Sequence, residues 1–176
     1  RRGQELLAQG KPAEACLEFN VATALQPGNA DYHVASGEAC AALGDVQGAA
    51  VEYNRALQIT PDMPSARLKL AQLHVQTGKP QEAARIAQGL VEADPANVEA
   101  RLLLARALAA SGDQAKSLDQ YERLLTYQPN NEEALRAAAA AYDERQACAW
   151  SINLFACCFP RSFARCRHVG HMLVAR

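Results

Sequence analysis

This sequence predicts an all-α fold: antiparallel helix pairs stacked in order into a solenoid. Three observations predict it. Pro27, Pro61, Pro95 and Pro129 recur at a constant interval of 34 residues. Gly10, Gly44, Gly78 and Gly112 recur at the same interval, each seventeen residues ahead of a proline. The composition suits closely packed helices, with 49% hydrophobic residues but only 6% aromatic ones. Alanine runs through every segment, and it both favours helix and lets backbones approach. Two residue types held in fixed phase over four periods mark one supersecondary unit repeated in series.

Each landmark has a physical reason. The glycines end the first helix of each pair, because the sharp turn needs a left-handed residue. Residues up to Gly10 therefore close a first helix, and the chain opens inside it at Arg1, without an initiator Met. An extension upstream is expected on that account. No compartment can be assigned, although the reading leans to the cytoplasm. Pro12 sits in the first turn of a second helix, where a missing N–H costs nothing. That helix is expected over 12–26, closed by Pro27. Gly28 and Asn29 make the next turn, and a first helix follows at 30–43. Asp45 is the N-cap candidate for a second helix at 46–60, closed by Pro61. Asp62 turns the chain into 64–77, Pro80 opens 80–94, and Pro95 closes it. Ala96 and Asn97 lead into 98–111, Asp113 caps 114–128, and Asn130 and Asn131 follow Pro129 into a last helix at 132–145. Helical content above about 70% is expected, against a globular average of about a third.

Other positions keep the phase. Gly3, Gly37, Ala71 and Ala105 stand seven residues before each glycine. They are small, and are expected to let paired helices touch where the partner helix presents Ala15, Ala49, Ala83 or Ser117. Phe19, Tyr53, Ala87 and Tyr121 come four residues after those, and Ala22, Ala56, Leu90 and Leu124 three further on. Leu70, Ala71, Ala83, Leu104, Ala105, Leu108, Tyr121 and Leu124 are the expected core. The pattern resembles the tetratricopeptide-repeat (TPR) family over residues 1–145. The resemblance implies a right-handed TPR-type helical solenoid of antiparallel helix pairs. It would hold a partial first repeat, three full 34-residue repeats, and the first helix of a fifth as a cap. The departures are Arg67 and Arg101, where an aromatic or aliphatic residue is usual, and Cys40 and His74 at the tyrosine position. They are expected to weaken single packing contacts without threatening the fold.

The sequence offers little chemistry of its own. The net charge is −1, so nothing global draws the chain to nucleic acid or an anionic membrane. There is no glycine-rich phosphate loop and no G-x-S-x-G or H-E-x-x-H motif. His33 and His74 each stand without a second ligand at i+4, and read as packing or surface histidines. Cys16 and Cys40 read as small buried hydrophobes, not nucleophiles. No enzyme activity, cofactor, metal site, nucleic-acid partner, membrane insertion or small-molecule substrate is expected of the repeats.

Binding is the better reading, and the resemblance says where. In the TPR family the first helices line the concave surface of the superhelix. Helical spacing then assigns Asp31, Val34, Ala35 and Glu38 to that surface, followed by Ser65, Leu68, Lys69 and Gln72. Glu99, Leu102, Leu103 and Arg106 come next, and Glu133 and Arg136 continue the row. The partner-binding candidates are Asp31, Val34, Glu38, Leu68, Lys69, Gln72, Leu102, Leu103, Arg106 and Arg136. Val34, Leu68, Leu102 and Leu103 would form an apolar floor with mixed charges above it, a surface suited to an amphipathic helix or an extended peptide. The plain alternative is a solvated face, or one covered by neighbouring repeats. One TPR subclass grips the C-terminal carboxylate of heat-shock chaperones with Lys, Asn, Asn, Lys and Arg. The matching places hold Val34, Glu38, Lys69, Glu99 and Leu103, so that clamp is not expected. The function implied is a scaffold or adaptor that binds a partner's peptide or helix. The alternative is a non-catalytic, substrate-selecting segment of a larger enzyme such as a glycosyltransferase.

The composition changes near Gln146. Residues 1–146 carry 14 Lys and Arg against all 19 Asp and Glu, a balance of −5, whereas 147–176 carry four arginines and no acid. Residues 146–176 are accordingly set apart as a Cys- and Arg-rich tail. The longest apolar stretch, about 147–159, is short of the roughly 20 residues a bilayer needs. Trp150, Leu154, Cys157 and Cys158 fall at helical spacing and could form a capping helix. Cys157, Cys158, Cys166, His168 and His171 could bind zinc. Cys157 and Cys158 beside Arg161 could be palmitoylated. The abrupt change also admits a tail that is not native coding sequence.

Overall fold

A computed structural model describes residues 2–140 and residue 142 of the chain, and 80% of these are helical, with no strand among them. In order they form α1 (Arg2–Ala8), α2 (Pro12–Leu25), α3 (Ala30–Ala42) and α4 (Val46–Ile59), then α5 (Pro64–Gln76), α6 (Pro80–Ala93), α7 (Val98–Ala110) and α8 (Gln114–Tyr127). Residues 132–140 are helical as well and are called α9. The tail readings, whether cap, zinc site or lipidation site, lie outside the described residues.

The helix starts fall where the local chemistry puts them. Asn29, Asp45, Asn97 and Asp113 each accept a backbone N–H of the helix they open, at 2.9–3.2 Å. Asn131 does the same for Ala134 at 3.0 Å. Pro12, Pro64 and Pro80 occupy the first turns of their helices. The ends of α2 to α8 come one residue short of expectation. In each, the residue expected to be last is the C-cap, whose N–H still bonds the helix. Gly10, Gly44, Gly78 and Gly112 have φ of 71°, 82°, 72° and 89°. A Cβ at any of the four would meet nothing within 4 Å, so the requirement there is conformational and not spatial. The turn after each is a Schellman motif, as in the 2.9 Å bond from Asp45 N–H to the Cys40 carbonyl.

The core is laid down seam by seam. Leu70, Ala71, Ala83, Leu104, Ala105, Tyr121 and Leu124 are buried as expected, while Leu108 is only half-buried against its cluster. Ala15, Ala49 and Ala83 are fully buried, and Ser117 donates from Oγ to the Ala105 carbonyl at 2.8 Å. The small positions of the first helices also face something larger than alanine. A Cβ on Gly3 would meet the Phe19 ring at 2.7 Å, and one on Gly37 the Tyr53 ring at 2.5 Å. In these two pairs the glycine makes room for the ring, whereas in the fourth Ala105 shares its buried cluster with Tyr121. In the third pair Ala71 is matched by Ala87, and a methyl fits.

The arginine departures are not weak spots either. His33 Nε2 lies 3.0 Å from the Pro27 carbonyl, Arg67 Nε donates to Pro61 at 3.0 Å, and Arg101 Nη2 to Pro95 at 2.7 Å. Each is a nitrogen donor six residues after a repeat proline, tied to that proline's carbonyl in the turn just past the preceding second helix. Arg101 is buried, reaches Gln120 at 3.3 Å, and stacks 5.6 Å from the Tyr127 ring centre. The expected loss of packing is replaced by a polar clamp.

Each helix packs on the next, and α3 also packs on α5, and α5 on α7. No second helix packs comparably on the following second helix among the described residues. Closer spacing on one side than on the other bends a stack toward that side. The first helices therefore lie inside the curve.

Candidate partner-binding face

The inner row is built from α3, α5, α7 and α9, and its polar side chains pair across the helices. Glu38 on α3 meets Lys69 Nζ on α5 at 2.8 Å. Gln72 on α5 donates to Glu99 on α7 at 3.2 Å, and Arg106 on α7 pairs with Glu133 on α9. Glu38, Gln72 and Arg106 occupy one repeat position, spaced by 34 residues. Each reaches forward to the next first helix, so the pairs form a ladder along the face. The rungs are open to water: Lys69 and Glu38 side chains are 34% and 37% exposed. Exposed pairs of this kind contribute about 0–1 kcal/mol each, so a ligand can exchange with them at small cost.

The expected row divides in two. Asp31, Ser65, Glu99, Arg106 and Arg136 are exposed, and Ala35, Glu38, Lys69, Gln72, Leu102 and Glu133 are half-buried. The apolar floor is not there as expected. Val34, Leu68 and Leu103 are buried, at 8%, 8% and 3% exposure, and belong to the core. Val34 shares a cluster with Ala66 and Leu70, and Leu68 shares one with Leu103. The reason lies in the stacking. A first helix is flanked by its own pair partner and by the first helices before and after it. Residues three or four positions from the inner row therefore turn into seams instead of the groove. Leu102 is the apolar residue of the four left half-buried, packed against the cluster of α7, α8 and α9. Of the places set against the chaperone clamp, Val34 and Leu103 are buried and Lys69 pairs with Glu38.

Behind the row, burial and the neighbouring Glu38 charge push the Tyr53 hydroxyl up to about 12. Burial also raises Tyr121. Both phenols stay neutral at any ordinary pH and act as packing groups.

The opposite side carries a shallow depression of about 470 Å³ between α2 and α4, lined by Pro27, His33, Glu52, Arg55 and Ile59 among others. Its polar groups serve one another: His33 Nδ1 lies 2.8 Å from Glu52 Oε2, and Arg55 donates to Glu52 Oε1 at 2.6 Å. His33 is thus a satisfied packing histidine. His74 lies 3.4 Å from Glu82. Among the described residues no three metal-ligating side chains come together, and no helix is long and apolar enough to cross a membrane.

The sequence reading missed the ladder and the clamp. The signal for the clamp was present, since positions 33, 67 and 101 all hold nitrogen donors. For the ladder it was not, because its rungs join residues 27 or 31 apart, and only the helix-to-helix offset selects those partners.

Stacked helix pairs, a left-handed glycine in every hairpin and a polar inner row define a helical-repeat protein of the solenoid class. Tetratricopeptide repeats match residues 1–64, 41–95 and 74–142. The chain belongs to the tetratricopeptide-repeat family, and its fold is the right-handed TPR solenoid. Solved structures agree on the fold. A crystal structure of MamA superposes with a TM-score of 0.75 at 16% identity, covering 83% of this chain and 85% of that one. MamA AMB-1 gives 0.73 at 23% identity, covering 82% and 86%. YrrB, described as a TPR protein with an unusual peptide-binding site, gives 0.68 at 19% identity, covering 82% and 74%. No curated protein matches the sequence.

Proposed function

We propose that this chain is a protein-interaction scaffold that holds a peptide or helix of a partner along the inner row of first helices. The observation that carries the reading is the ladder of exchangeable polar pairs running unbroken from α3 to α9, with half-buried Leu102 beside it. Asp31, Glu38, Lys69, Gln72, Leu102, Arg106 and Arg136 make the contacts, and Val34, Leu68 and Leu103 hold the helices that carry them. Residues 1–145 act as one array, and 146–176 stand outside it. A family of helical scaffolds, and a neighbour whose description names a peptide-binding site, support this reading. Mixed charge along the row suits a segment with both acids and bases, which can take over the partners of Glu38, Lys69 and Arg106.

Affinity capture with the full chain followed by mass spectrometry identifies the partner, and titration calorimetry of variants locates its site. Leu102→Ala with Arg106→Glu should weaken binding by about 2 kcal/mol, roughly thirtyfold, with helicity unchanged. The Arg106→Glu part should act mainly on association rate and shrink as salt rises. Glu82→Lys with Glu122→Lys, on second helices, should leave binding intact. If that outer pair abolishes binding and the inner pair does not, the second-helix face is the interface.

A further inference from the structure

Among the described residues there are two cysteines, and they face each other. Cys16 Sγ on α2 stands 3.9 Å from Cys40 Sγ on α3. These helices are the second helix of one repeat and the first helix of the next, so the thiols meet at a seam between repeats. The same places in the following seams hold Ala50 with His74 and Ala84 with Leu108. The thiol pair is therefore peculiar to this seam, and the repeat pattern does not demand it.

The two sulfurs are placed unequally. Cys40 is buried, while Cys16 is half-buried and receives a bond from Asn20 Nδ2 at 3.7 Å. Sulfurs already in contact need to approach by about 1.9 Å to reach the disulfide length of about 2.05 Å. Rotation of the two cysteine side chains about χ1 is the motion that would close that distance.

We propose that Cys16 and Cys40 are a disulfide-forming site, and that a small dialkyl disulfide oxidises them to a covalent tie between α2 and α3. Cys16, the more accessible sulfur, loses its proton and attacks one sulfur of the oxidant. The oxidant's S–S bond breaks, a mixed disulfide forms on Cys16, and the first thiolate leaves and takes up a proton. Cys40 then loses its proton and attacks the Cys16 sulfur, displacing the second thiolate. Two protein thiols give up two electrons, and one disulfide is reduced to two thiols. Burial pushes the Cys40 thiol up to about 11, helped by Cys16 and by the carboxylates of Asp45 and Glu52. Burial and the two carboxylates still hold that thiol protonated at neutral pH once Cys16 carries the mixed disulfide. The second step should quicken as pH rises from 7 to 9, as the reactive thiolate becomes more populated. The tie closes a loop between residues 24 apart and secures one seam of an array whose stability is a sum over seams.

Full-length protein is incubated with excess oxidised glutathione, acid-quenched, alkylated, digested without reduction and mapped by mass spectrometry. A peptide joining Cys16 to Cys40 is expected, forming faster at pH 9 than at pH 7. In Cys40→Ala, Cys16 should stop at the glutathione mixed disulfide. The linked protein should melt roughly 5–10 °C above the reduced protein, a difference erased by reductant. Recovery of both cysteines free or singly glutathionylated would overturn the proposal. So would a link from Cys16 to Cys148, Cys157, Cys158 or Cys166 in place of Cys40, or a linked form that melts no higher than the reduced one.

Discussion

Adding one methyl group at Gly37 tests how tightly the helix pairs are fitted. A Cβ there would lie 2.5 Å from Cε1 and 2.8 Å from Cδ1 of Tyr53, where carbon atoms need about 3.5–4.0 Å. The ring must retreat by about 1 Å, yet Tyr53 is 2% exposed and has no free space to enter. Overpacking at a contact this short belongs in the upper part of the 1–3 kcal/mol range, about 2–3 kcal/mol. Replacing a helical glycine by alanine returns about 1 kcal/mol of propensity. Gly37→Ala should therefore lose about 1–2 kcal/mol net. The second half of the test removes the ring. Tyr53→Ala alone should cost about 3–5 kcal/mol through the cavity it leaves. In that background the ring contacts at 2.5–3.1 Å are gone, and Gly37→Ala should become stabilising, as the Ala71 and Ala87 positions of the third pair suggest. Calorimetric melting of the four proteins measures the coupling, expected at about 2–3 kcal/mol. A Gly37→Ala variant that is equally stabilising with and without the Tyr53 ring would refute the packing argument.

Three other outcomes follow from the same geometry. Arg101→Ala should cost about 1–3 kcal/mol, because it removes a buried side chain together with its hydrogen bond to the Pro95 carbonyl and its contact with the Tyr127 ring. Arg67→Ala should cost about 1 kcal/mol or less by denaturant titration, since its partner Asp62 is 92% exposed and such pairs contribute little. Leu103→Ala, at a core position, should lower stability by about 2–5 kcal/mol, while Leu102→Ala should cost clearly less and act on binding. Melting curves separate the two. Tyr53 sets an alkaline limit: its folded hydroxyl sits near 12 against about 10 in an unfolded chain. Its contribution is whole below pH 10 and is lost as pH rises toward 12, because the unfolded chain gives up that proton first. Tyr53→Phe should flatten the fall in stability over that window, and an unchanged slope would show that other groups govern it.

The helices and their turns were legible in the sequence because their causes are local. A left-handed glycine, an Asn or Asp cap and a proline in a first turn act within about five residues. A period of 34 then repeats that local grammar. The buried alanines and leucines followed, since the 3.6-residue spacing says which side of a helix must face its partner. That same spacing misplaced Val34, Leu68 and Leu103. Periodicity gives a direction around the helix axis, but how much of that direction is groove depends on how close the neighbouring helices stand.

That distance is a tertiary quantity, set jointly by side-chain volumes on both helices. Gly37 opposite Tyr53 and Ala71 in line with Ala87 reach it in different ways. The offset between successive first helices in turn chose Lys69 for Glu38 and Glu99 for Gln72. It also brought the Cys16 and Cys40 thiols together across 24 residues. The sequence by itself determined a TPR solenoid and the helices that line its inner curve. Only the packed structure decided which side chains reach that surface, because exposure and long-range pairing depend on the spacing between helices, which no single helix encodes.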